Sequence, residues 1–313
     1  MKENSLAFNI SRRRFLKYSS ICSLTTTSIS RAATKEEFSL KYILSSSMYG
    51  TIALPKIMNE AKKLKILTLD IWPLVHGNQR EQMEKMGHDN FKQLLDLNNI
   101  KLGSITRYDL GPFNLQNEMK VCSKLGGDLL VCGGKGPKGL SGNDLKSAIK
   151  SFTEKIKPYI SAAEEIGIKI GIENHSNNLI NTPDSLKWLL DFLPSKNLGV
   201  ALAPYHLETL GLNDKNIAQL IETLGDKLFM FYAWQYGMGC MKKLPKEQEL
   251  LQMPGRGKLD FTLIVKSLKA INYSGYTSIF MHPVPRGIPI LPTAKETTKE
   301  INRAKNYLDA ILT

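Results

Sequence analysis

Short apolar runs rich in β-branched residues alternate along the chain with longer segments whose apolar residues recur at helical spacing. The strand pattern is clearest in the segment 167–178 (GIKIGIENHSNN), where alternating isoleucines give way abruptly to polar side chains. Strands are predicted over 39–47, 65–72, 100–106, 128–133, 168–173, 198–203, 227–233 and 276–282. Helices are predicted over 52–64, 81–98, 115–125, 144–166, 183–193, 213–224, 260–270 and 294–311.

This strand–helix rhythm predicts an α/β fold. Eight such units within about 280 residues are typical of a (β/α)8 TIM barrel, here as a single domain. A doubly wound open sheet is the alternative, but no GxGxxG sequence follows an early strand. The loop 234–258 interrupts the rhythm before the last helix–strand pair.

The N-terminal segment has the pattern of a targeting signal. Residues 11–17 (SRRRFLK) match the twin-arginine export signal, residues 18–29 are only mildly apolar, and Ala32-Ala33 offers a cleavage site. We therefore predict a signal peptide over 1–33 and a mature barrel over 34–313. The Tat export machinery would carry the folded protein to the periplasm, with no stable membrane span. A basic, disordered N-terminus is the alternative.

Charge and cysteine content change this picture little. The net charge is +13, of which residues 1–33 contribute +5 and the rest +8. The excess is spread along the chain with no basic block interleaved with aromatic residues, so a nucleic-acid partner is not indicated, and an anionic substrate is equally compatible. The four cysteines include no CxxC pair, which argues against a disulfide framework or a cysteine zinc site.

Carboxylate and imidazole side chains stand at or just after the ends of predicted strands. Glu173 ends the fifth strand, His206 follows the sixth and His282 ends the eighth. In a barrel these ends converge on one mouth, where active sites are built. One glutamate and two histidines can act as an acid–base pair or bind a divalent cation. We therefore predict Glu173, His206 and His282 as catalytic residues.

A second group of residues near the same mouth suits substrate binding. Aromatic planes can pack on a sugar ring, and arginines in loops rich in glycine and proline can hold a carboxylate or phosphate. The loop 133–142 (GGKGPKGLSG) could cradle phosphate, but without the P-loop spacing a plain flexible loop is favoured. The predicted substrate-binding residues are Trp72, His175, Tyr232, Trp234, Arg256 and Arg286.

Four motifs resemble the xylose isomerase-like TIM-barrel family of sugar isomerases, epimerases and related endonucleases. They are GIENH at 171–175, GVALAPYH at 199–206, PGRGKLDF at 254–261 and GYTSIFMHP at 275–283, and the resemblance covers about 38–311. It implies a divalent ion such as Mn²⁺ or Mg²⁺ and proton movement through an enediol-like intermediate. Glu173 matches the metal-binding glutamate, which also takes part in proton transfer, and His206 matches a substrate-site histidine.

The chain departs from that family at three of its four metal-ligand positions. Ala203 stands at the aspartate position, Tyr232 at about the histidine position and Phe280 at the second glutamate position. A metal in the usual place is therefore not expected. A rebuilt site of Glu173, His206 and His282 would suit Zn²⁺ or Mn²⁺.

Two functions follow from these observations. The first is an exported sugar isomerase or epimerase, or a lyase, that acts on a sugar or keto-sugar with Glu173 as the base. The second is a non-catalytic carbohydrate-binding protein that has lost the metal site. Nucleic-acid repair is a third and weaker interpretation, since phosphodiester cleavage needs the full metal cluster. Nothing in the sequence indicates an oligomeric state.

Overall fold

Eight parallel strands, connected by helices, close into a barrel in the order of the sequence. The computed structural model describes residues 37–313, so the predicted signal over 1–33 lies outside the described residues. The strands are β1 (Lys41–Ser45), β2 (Thr68–Ile71), β3 (Lys101–Thr106), β4 (Leu129–Gly133), β5 (Lys169–Glu173), β6 (Leu198–Leu202), β7 (Leu228–Ala233) and β8 (Tyr276–Ile279).

Pairing between the first and last strands closes the barrel, with Tyr42 opposite Thr277. The register shifts in two places, between Leu69 and Asp70 on β2 and between Val200 and Ala201 on β6. Closure confirms the predicted (β/α)8 barrel and excludes the open sheet. All eight strands therefore present their C-terminal ends at one mouth.

The helices lie between the strands, and those with a strong apolar stripe turn it toward the barrel. In the first helix Leu54, Ile57, Met58, Ala61 and Leu64 are buried, a spacing of three or four residues that forms one face. The helices are α1 (Leu54–Leu64), α2 (Gln79–Met86), α3 (His88–Asn98), α4 (Gln116–Lys124), α5 (Gly142–Ile166), α6 (Pro183–Phe192), α7 (Pro204–Glu208), α8 (Asp214–Leu224), α9 (Lys246–Glu249), α10 (Phe261–Ala270) and α11 (Ala294–Leu312). No helix within 37–313 is long and apolar enough to cross a bilayer.

The helical prediction differs from the structure at two places that matter. The single helix predicted over 81–98 is two helices, because Gly87 adopts a φ of +83° that a helix cannot contain. The short helix α7 begins at Pro204 directly after β6, within a stretch for which the sequence pattern predicts no helix. This second difference places His206 on a rigid turn at the barrel mouth.

A capping box fixes the exit of the loop that follows β5. Thr182 accepts from the backbone N–H of Ser185 at 3.1 Å, and the Ser185 hydroxyl lies 2.9 Å from the backbone nitrogen of Thr182. Pro183 occupies the first turn of α6, as predicted for a Thr-Pro start. The loop 174–181, which carries several site residues, is thus anchored at both ends.

Candidate active site

A cavity of about 1140 Å³ opens at the C-terminal ends of the strands. Its lining includes seven of the residues predicted from the sequence, namely Trp72, Glu173, His175, His206, Trp234, His282 and Arg286. Tyr232 is buried beside Phe280 and does not line it. A second cavity, of about 900 Å³, lies between α6 and α8 away from these residues.

Glu173 is the last residue of β5 and is only 3% exposed. Its Oε2 accepts a hydrogen bond from the hydroxyl of Tyr108, and the nearest basic group is the Nε2 of His206, 3.9 Å from Oε1. Burial raises the pKa of the Glu173 carboxyl to about 7, although His175 and Tyr108 act in the opposite direction. A carboxyl with this pKa can accept and return a proton near neutral pH.

His206 presents an unpartnered nitrogen toward Glu173. Its Nδ1 lies 2.8 Å from the hydroxyl of Ser176, whereas its Nε2 is buried and has no hydrogen-bond partner among the described residues. Burial lowers the pKa of His206 to about 2, with a further contribution from His175 in the same direction. The imidazole is therefore neutral at physiological pH. A buried, neutral imidazole nitrogen without a partner is a ready metal ligand or hydrogen-bond acceptor.

His175 completes a cluster of three potential ligands. Its Nδ1 lies 2.7 Å from the backbone carbonyl of Ser176, which can only accept, so Nδ1 donates this hydrogen bond and Nε2 is the ring atom available as a ligand. One ligand atom from each of Glu173, His175 and His206 lies within 4.8 Å of the others. A carboxylate with two imidazoles is a donor set that zinc and manganese accept, and the unpartnered Nε2 of His206 fits such an ion.

The third member of this cluster differs from the predicted one. The sequence pattern groups His282 with Glu173 and His206, and the structure places His175 there instead. The reason is topological, because β5 and β6 are neighbours whereas His282 follows β8, three strands away from β5. His282 instead packs against His76, with ring centroids 4.7 Å apart.

Ala203 and Phe280, two of the positions that the family resemblance assigns to metal ligands, lie in structural contacts. The side chain of Asn174 accepts from the backbone N–H of Ala203 at 2.7 Å and donates to its carbonyl at 3.1 Å, which ties the end of β6 to the loop after β5. Phe280 stacks on Trp72 with ring centroids 5.1 Å apart. Neither Ala203 nor Phe280 has a donor atom in its side chain, so neither can supply a metal ligand.

Aromatic rings form the floor between the Glu173 cluster and the opposite side of the cavity. Trp234 meets His206 edge-on at 5.2 Å and His282 edge-on at 5.1 Å between ring centroids. Tyr205 stacks on Trp234 at 4.0 Å with an interplanar angle of 14°. The floor is thus rigid and largely apolar, and it suits the C–H face of a sugar ring.

A buried carboxylate holds this floor in place from below. Asp70 is fully buried and accepts hydrogen bonds from the hydroxyls of Ser45 at 2.8 Å, Ser104 at 2.6 Å and Thr106 at 2.9 Å. It also accepts from the indole N–H of Trp72. Burial raises the pKa of the Asp70 carboxyl, and the four donors oppose that rise. Asp70 therefore positions Trp72 and does not reach the cavity.

The two predicted arginines differ in position. Arg286 lines the cavity, where it donates to the backbone carbonyls of Pro283 at 2.6 Å and Cys240 at 2.9 Å. Arg256 does not line the cavity, because its guanidinium is paired with Glu300 at 2.6 Å. Its contact with α11 gives Arg256 a structural role in place of the predicted substrate contact.

Three residues of the site are not predicted from the sequence. Tyr108 lies two residues beyond β3, Ser176 lies in the loop after β5, and His76 lies in the loop after β2. A position just after a strand end is the available signal, and it applies equally to many polar loop residues. Only barrel closure shows which of them face the cavity.

Comparison with known proteins identifies the family. The family model described as xylose isomerase-like TIM barrel matches residues 60–307. The chain belongs to the xylose isomerase-like TIM-barrel family. An uncharacterized protein of Methanocaldococcus jannaschii is 31% identical over 123 residues, which are 38% of this chain and 39% of that protein. The inosose isomerase of Bacillus subtilis is 25% identical over 158 residues, 49% of this chain and 55% of that enzyme. The alignments thus cover less than two thirds of either relative.

Solved structures of the family share the fold over nearly their whole length. The IolI protein with a bound zinc atom superposes with a TM-score of 0.67 at 18% identity, covering 86% of this chain and 98% of that one. D-psicose 3-epimerase of Clostridium cellulolyticum H10 with D-tagatose gives 0.65 at 17% identity, covering 87% and 99%. D-allulose 3-epimerase of Methylomonas sp. with D-allulose gives 0.63 at 18% identity, covering 84% and 95%. At these identities the likeness establishes the fold alone.

Proposed function

We propose that this protein is a sugar isomerase or epimerase that moves a proton on a sugar or keto-sugar, with Glu173 as the base. The observation that carries this proposal is the buried Glu173 carboxyl at the barrel mouth, whose pKa is raised to about 7 and whose free oxygen faces the unpartnered Nε2 of His206. A carboxyl held near neutrality is suited to repeated proton transfer.

The family supports the same reaction class. The inosose isomerase of Bacillus subtilis is related in sequence, and the D-allulose and D-psicose 3-epimerases share this fold, both in structures that contain a ketohexose. Such reactions remove a proton from a carbon next to a carbonyl and return it to the other face or to the neighbouring carbon. The aromatic floor beside Glu173 can orient a sugar ring or chain for this step.

Each side chain of the Glu173 cluster has a separate role in this proposal. Tyr108 donates to Oε2 of Glu173 and fixes the carboxyl, which leaves Oε1 to take the proton from substrate carbon. His206, neutral and oriented by Ser176, can use its Nε2, 3.9 Å from Oε1, either to accept a hydrogen bond from a substrate hydroxyl or to hold a divalent ion. A divalent ion held by Glu173, His175 and His206 would supply Lewis-acid polarisation of the substrate carbonyl.

Proton exchange from a substrate carbon tests this function directly. Ketohexoses are incubated with the full chain in heavy water, and loss of the carbon-bound proton signal is followed by NMR, with and without added Mn²⁺ or Zn²⁺. Glu173→Gln should slow exchange by at least about 100-fold, because it removes the base. Glu247→Gln, which alters an exposed glutamate, should match the wild type. Equal exchange in the Glu173 variant and the wild type would contradict the assignment.

A non-catalytic carbohydrate-binding protein is the second candidate. The replacement of ligand positions by Ala203 and Phe280, together with the aromatic floor, favours it. Sugar binding measured by calorimetry without any proton exchange in heavy water would support this alternative over the enzyme.

The proposed site of action is outside the cytoplasm. The SRRRFLK sequence at 11–17 supports export by the twin-arginine route, which carries folded proteins. The enzyme would then meet its sugar in the periplasm or beyond.

A further inference from the structure

The charged residues that line the cavity are of one sign with a single exception. Lys135, Lys138, Lys242 and Arg286 contribute four positive charges, and Glu173 contributes the lone carboxyl. None of the four cations lies within 4.0 Å of an acidic side chain in the described part of the chain. Elsewhere in 37–313, by contrast, Arg80, Arg107, Arg256 and Arg303 all pair with glutamate or aspartate. The cavity therefore carries uncompensated positive charge.

Arg286 is the best-placed of these cations to bind a ligand. It is half-buried and is held by the carbonyls of Pro283 and Cys240 and by the thiol of Cys240 at 3.3 Å. Three contacts leave at least two of the five N–H groups of a guanidinium free. The side chain is thus already ordered and still able to make a two-pronged contact with an oxyanion.

Arg286 has two imidazoles beside it. Burial and the positive charge of Arg286 lower the pKa of His76 to about 4, and burial, with Arg286 acting in the same direction, holds the pKa of His282 well below its usual range. Both imidazoles are therefore neutral, and each can donate through one N–H. His76, His282 and Arg286 together form a donor-rich end of the cavity, which we call the cationic end.

The cationic end and the Glu173 cluster lie on opposite sides of the aromatic floor. His76 and Arg286 come from the loops after β2 and β8, whereas the cluster comes from β5 and β6. Trp234 contacts His206 on one side and His282 on the other, at 5.2 and 5.1 Å between ring centroids. A small molecule lying on this floor can reach both ends at once.

Lysines extend the positive charge around the rim. The side chain of Lys135 crosses Gly111, where an added β-carbon would lie 2.7 Å from its Cε, so the lysine rests against the loop after β3. Lys138 and Lys242 stand on the loops after β4 and β7. Cations on several sides of a cleft raise the local concentration of an anionic ligand.

We propose that the substrate is an anionic sugar derivative whose carboxylate or phosphate binds at the cationic end, against Arg286, His76 and His282, with the carbon that exchanges its proton at Glu173. This inference rests on the proposed function. It differs from the uncharged ketohexoses bound in the related structures.

Three ligands with one carbon skeleton test the inference: fructose, fructose 6-phosphate and fructuronate. Their binding to the full chain is measured by calorimetry, and proton exchange is measured separately in heavy water. At least one of the two anions should bind tenfold or more tightly than fructose. The anion that binds more tightly shows whether the site recognises a carboxylate or a phosphate. Salt at about 0.5 M should weaken the binding of that anion and leave fructose unaffected.

Variants locate the contact. Arg286→Gln should reduce the anion preference tenfold or more, while Arg286→Lys should keep part of it. The double variant Lys135→Gln/Lys242→Gln alters only exposed side chains, so it remains informative if Arg286→Gln loosens its loop. It should reduce anion affinity about two- to fivefold, since exposed charges contribute less. Lys243→Gln is the matched control, because Lys243 follows Lys242 but does not line the cavity, and it should change nothing.

The two proposals can fail independently. Equal binding of all three ligands, or an anion preference that survives in Arg286→Gln and in the double lysine variant, would overturn the inference about substrate charge. Glu173-dependent exchange from fructose would leave the proposed function standing in that case. Conversely, anion binding that depends on Arg286, with no Glu173-dependent exchange, would support the cationic end and overturn the proposed reaction.

Discussion

At the scale of single residues, the Glu173 carboxyl determines how the site responds to pH. Its pKa is about 7 in the folded protein against an ordinary value of 4.5, so between these values the folded state holds a proton that the unfolded state releases. The free energy of unfolding therefore falls as pH rises through this window. At 1.36 kcal/mol per pKa unit, the loss is about 3 kcal/mol.

Glu173→Gln should remove that loss. In protein freed of divalent ions with a chelator, the variant should gain about 3 kcal/mol of stability relative to the wild type between pH 4.5 and pH 8. Urea unfolding at both pH values measures the difference. Glu247→Gln is the control and should follow the wild type at each pH. A constant offset between the Glu173 variant and the wild type would show that this carboxyl is not shifted.

The ligand cluster makes a second prediction at this scale. His206→Ala and His175→Ala should each weaken Zn²⁺ or Mn²⁺ binding at least about tenfold, because each removes one of three donors. Equilibrium dialysis gives the dissociation constants, and a chelator should lower the thermal midpoint of the wild type and of the His88 control more than that of the two cluster variants. His88→Ala is the matched control, since His88 lies on α3 beside Glu84 and away from the cavity. Undiminished metal affinity in both cluster variants would locate the ion elsewhere.

At the scale of elements, Asp70 joins β2 directly to two other strands and, through Ser45, to a third. Its partners Ser45, Ser104 and Thr106 belong to β1 and β3, and Ser45 also lies 2.9 Å from Ser278 on β8. These hydrogen-bonded side chains therefore span the junction between β1 and β8, where the barrel closes. A carboxylate at its centre satisfies hydroxyls that would otherwise be buried without an acceptor.

Asp70→Ala should lower the free energy of unfolding by about 3 kcal/mol or more, because it strands several buried donors. It should also change the near-UV circular dichroism of the tryptophans, since Trp72 loses its indole partner. Asp96→Ala, which breaks an exposed pair with Lys92 on α3, should stay within about 0.5 kcal/mol of the wild type. Equal stability of the two variants would mean that the free-energy cost of burying the Asp70 carboxyl cancels the stabilisation from its hydrogen bonds.

Gly50 fixes the loop after β1 against the loop after β8. It has a φ of +56°, and a β-carbon there would lie 2.4 Å from the carbonyl carbon of Ile288. Gly167 also has a positive φ, of +79°, but open space around it. Gly50→Ala should therefore cost about 1–3 kcal/mol more than Gly167→Ala, by thermal or urea unfolding. Similar losses in the two would mean that conformation alone, and not crowding, sets the cost.

The positions of most strands and helices are predictable from the sequence. The strand at 168–173 differs from β5 by one residue, because its alternating isoleucines and the preceding Gly167 define both ends. The break at Gly87 does not show in the pattern, since the apolar spacing continues on both sides of it. The helix α7 is also not predicted from the sequence. It begins at Pro204, close behind β6, inside a run that is typical of a strand and loop.

At the scale of the whole molecule, the fold is predictable from the sequence. The residues that make up the site are predictable only in part. Alternating periodicities repeat eight times and leave little choice of architecture. The cluster depends instead on which strand ends are neighbours and which loops turn inward. His175 takes the place of His282 for the first reason, and Arg256 turns outward to Glu300 for the second. Tyr108 carries no local pattern that marks it as the partner of Glu173.

The proposed export makes a prediction for the whole chain. Replacing Arg12 and Arg13 with lysine should leave the protein in the cytoplasm, because the twin-arginine route reads that pair. Cell fractionation and the size of the product on a gel measure the outcome, and Arg31→Lys is a control within the same segment. Normal export of the double variant would remove the basis for a periplasmic role.

The hydrogen bonds between Asn174 and Ala203 have a consequence for how this mouth can change over time. They join the end of β5 to the end of β6. Glu173, His175 and His206 all come from this one stretch of about one β–α–β unit. The strands that would carry further ligands, β7 and β8, bear Tyr232 and lead into Phe280. One half of the rim thus carries its three potential ligands on a single segment, whereas the other half is formed by separate loops. A change in the loops after β7 and β8 can then alter ligand recognition without touching the segment that carries the proposed base.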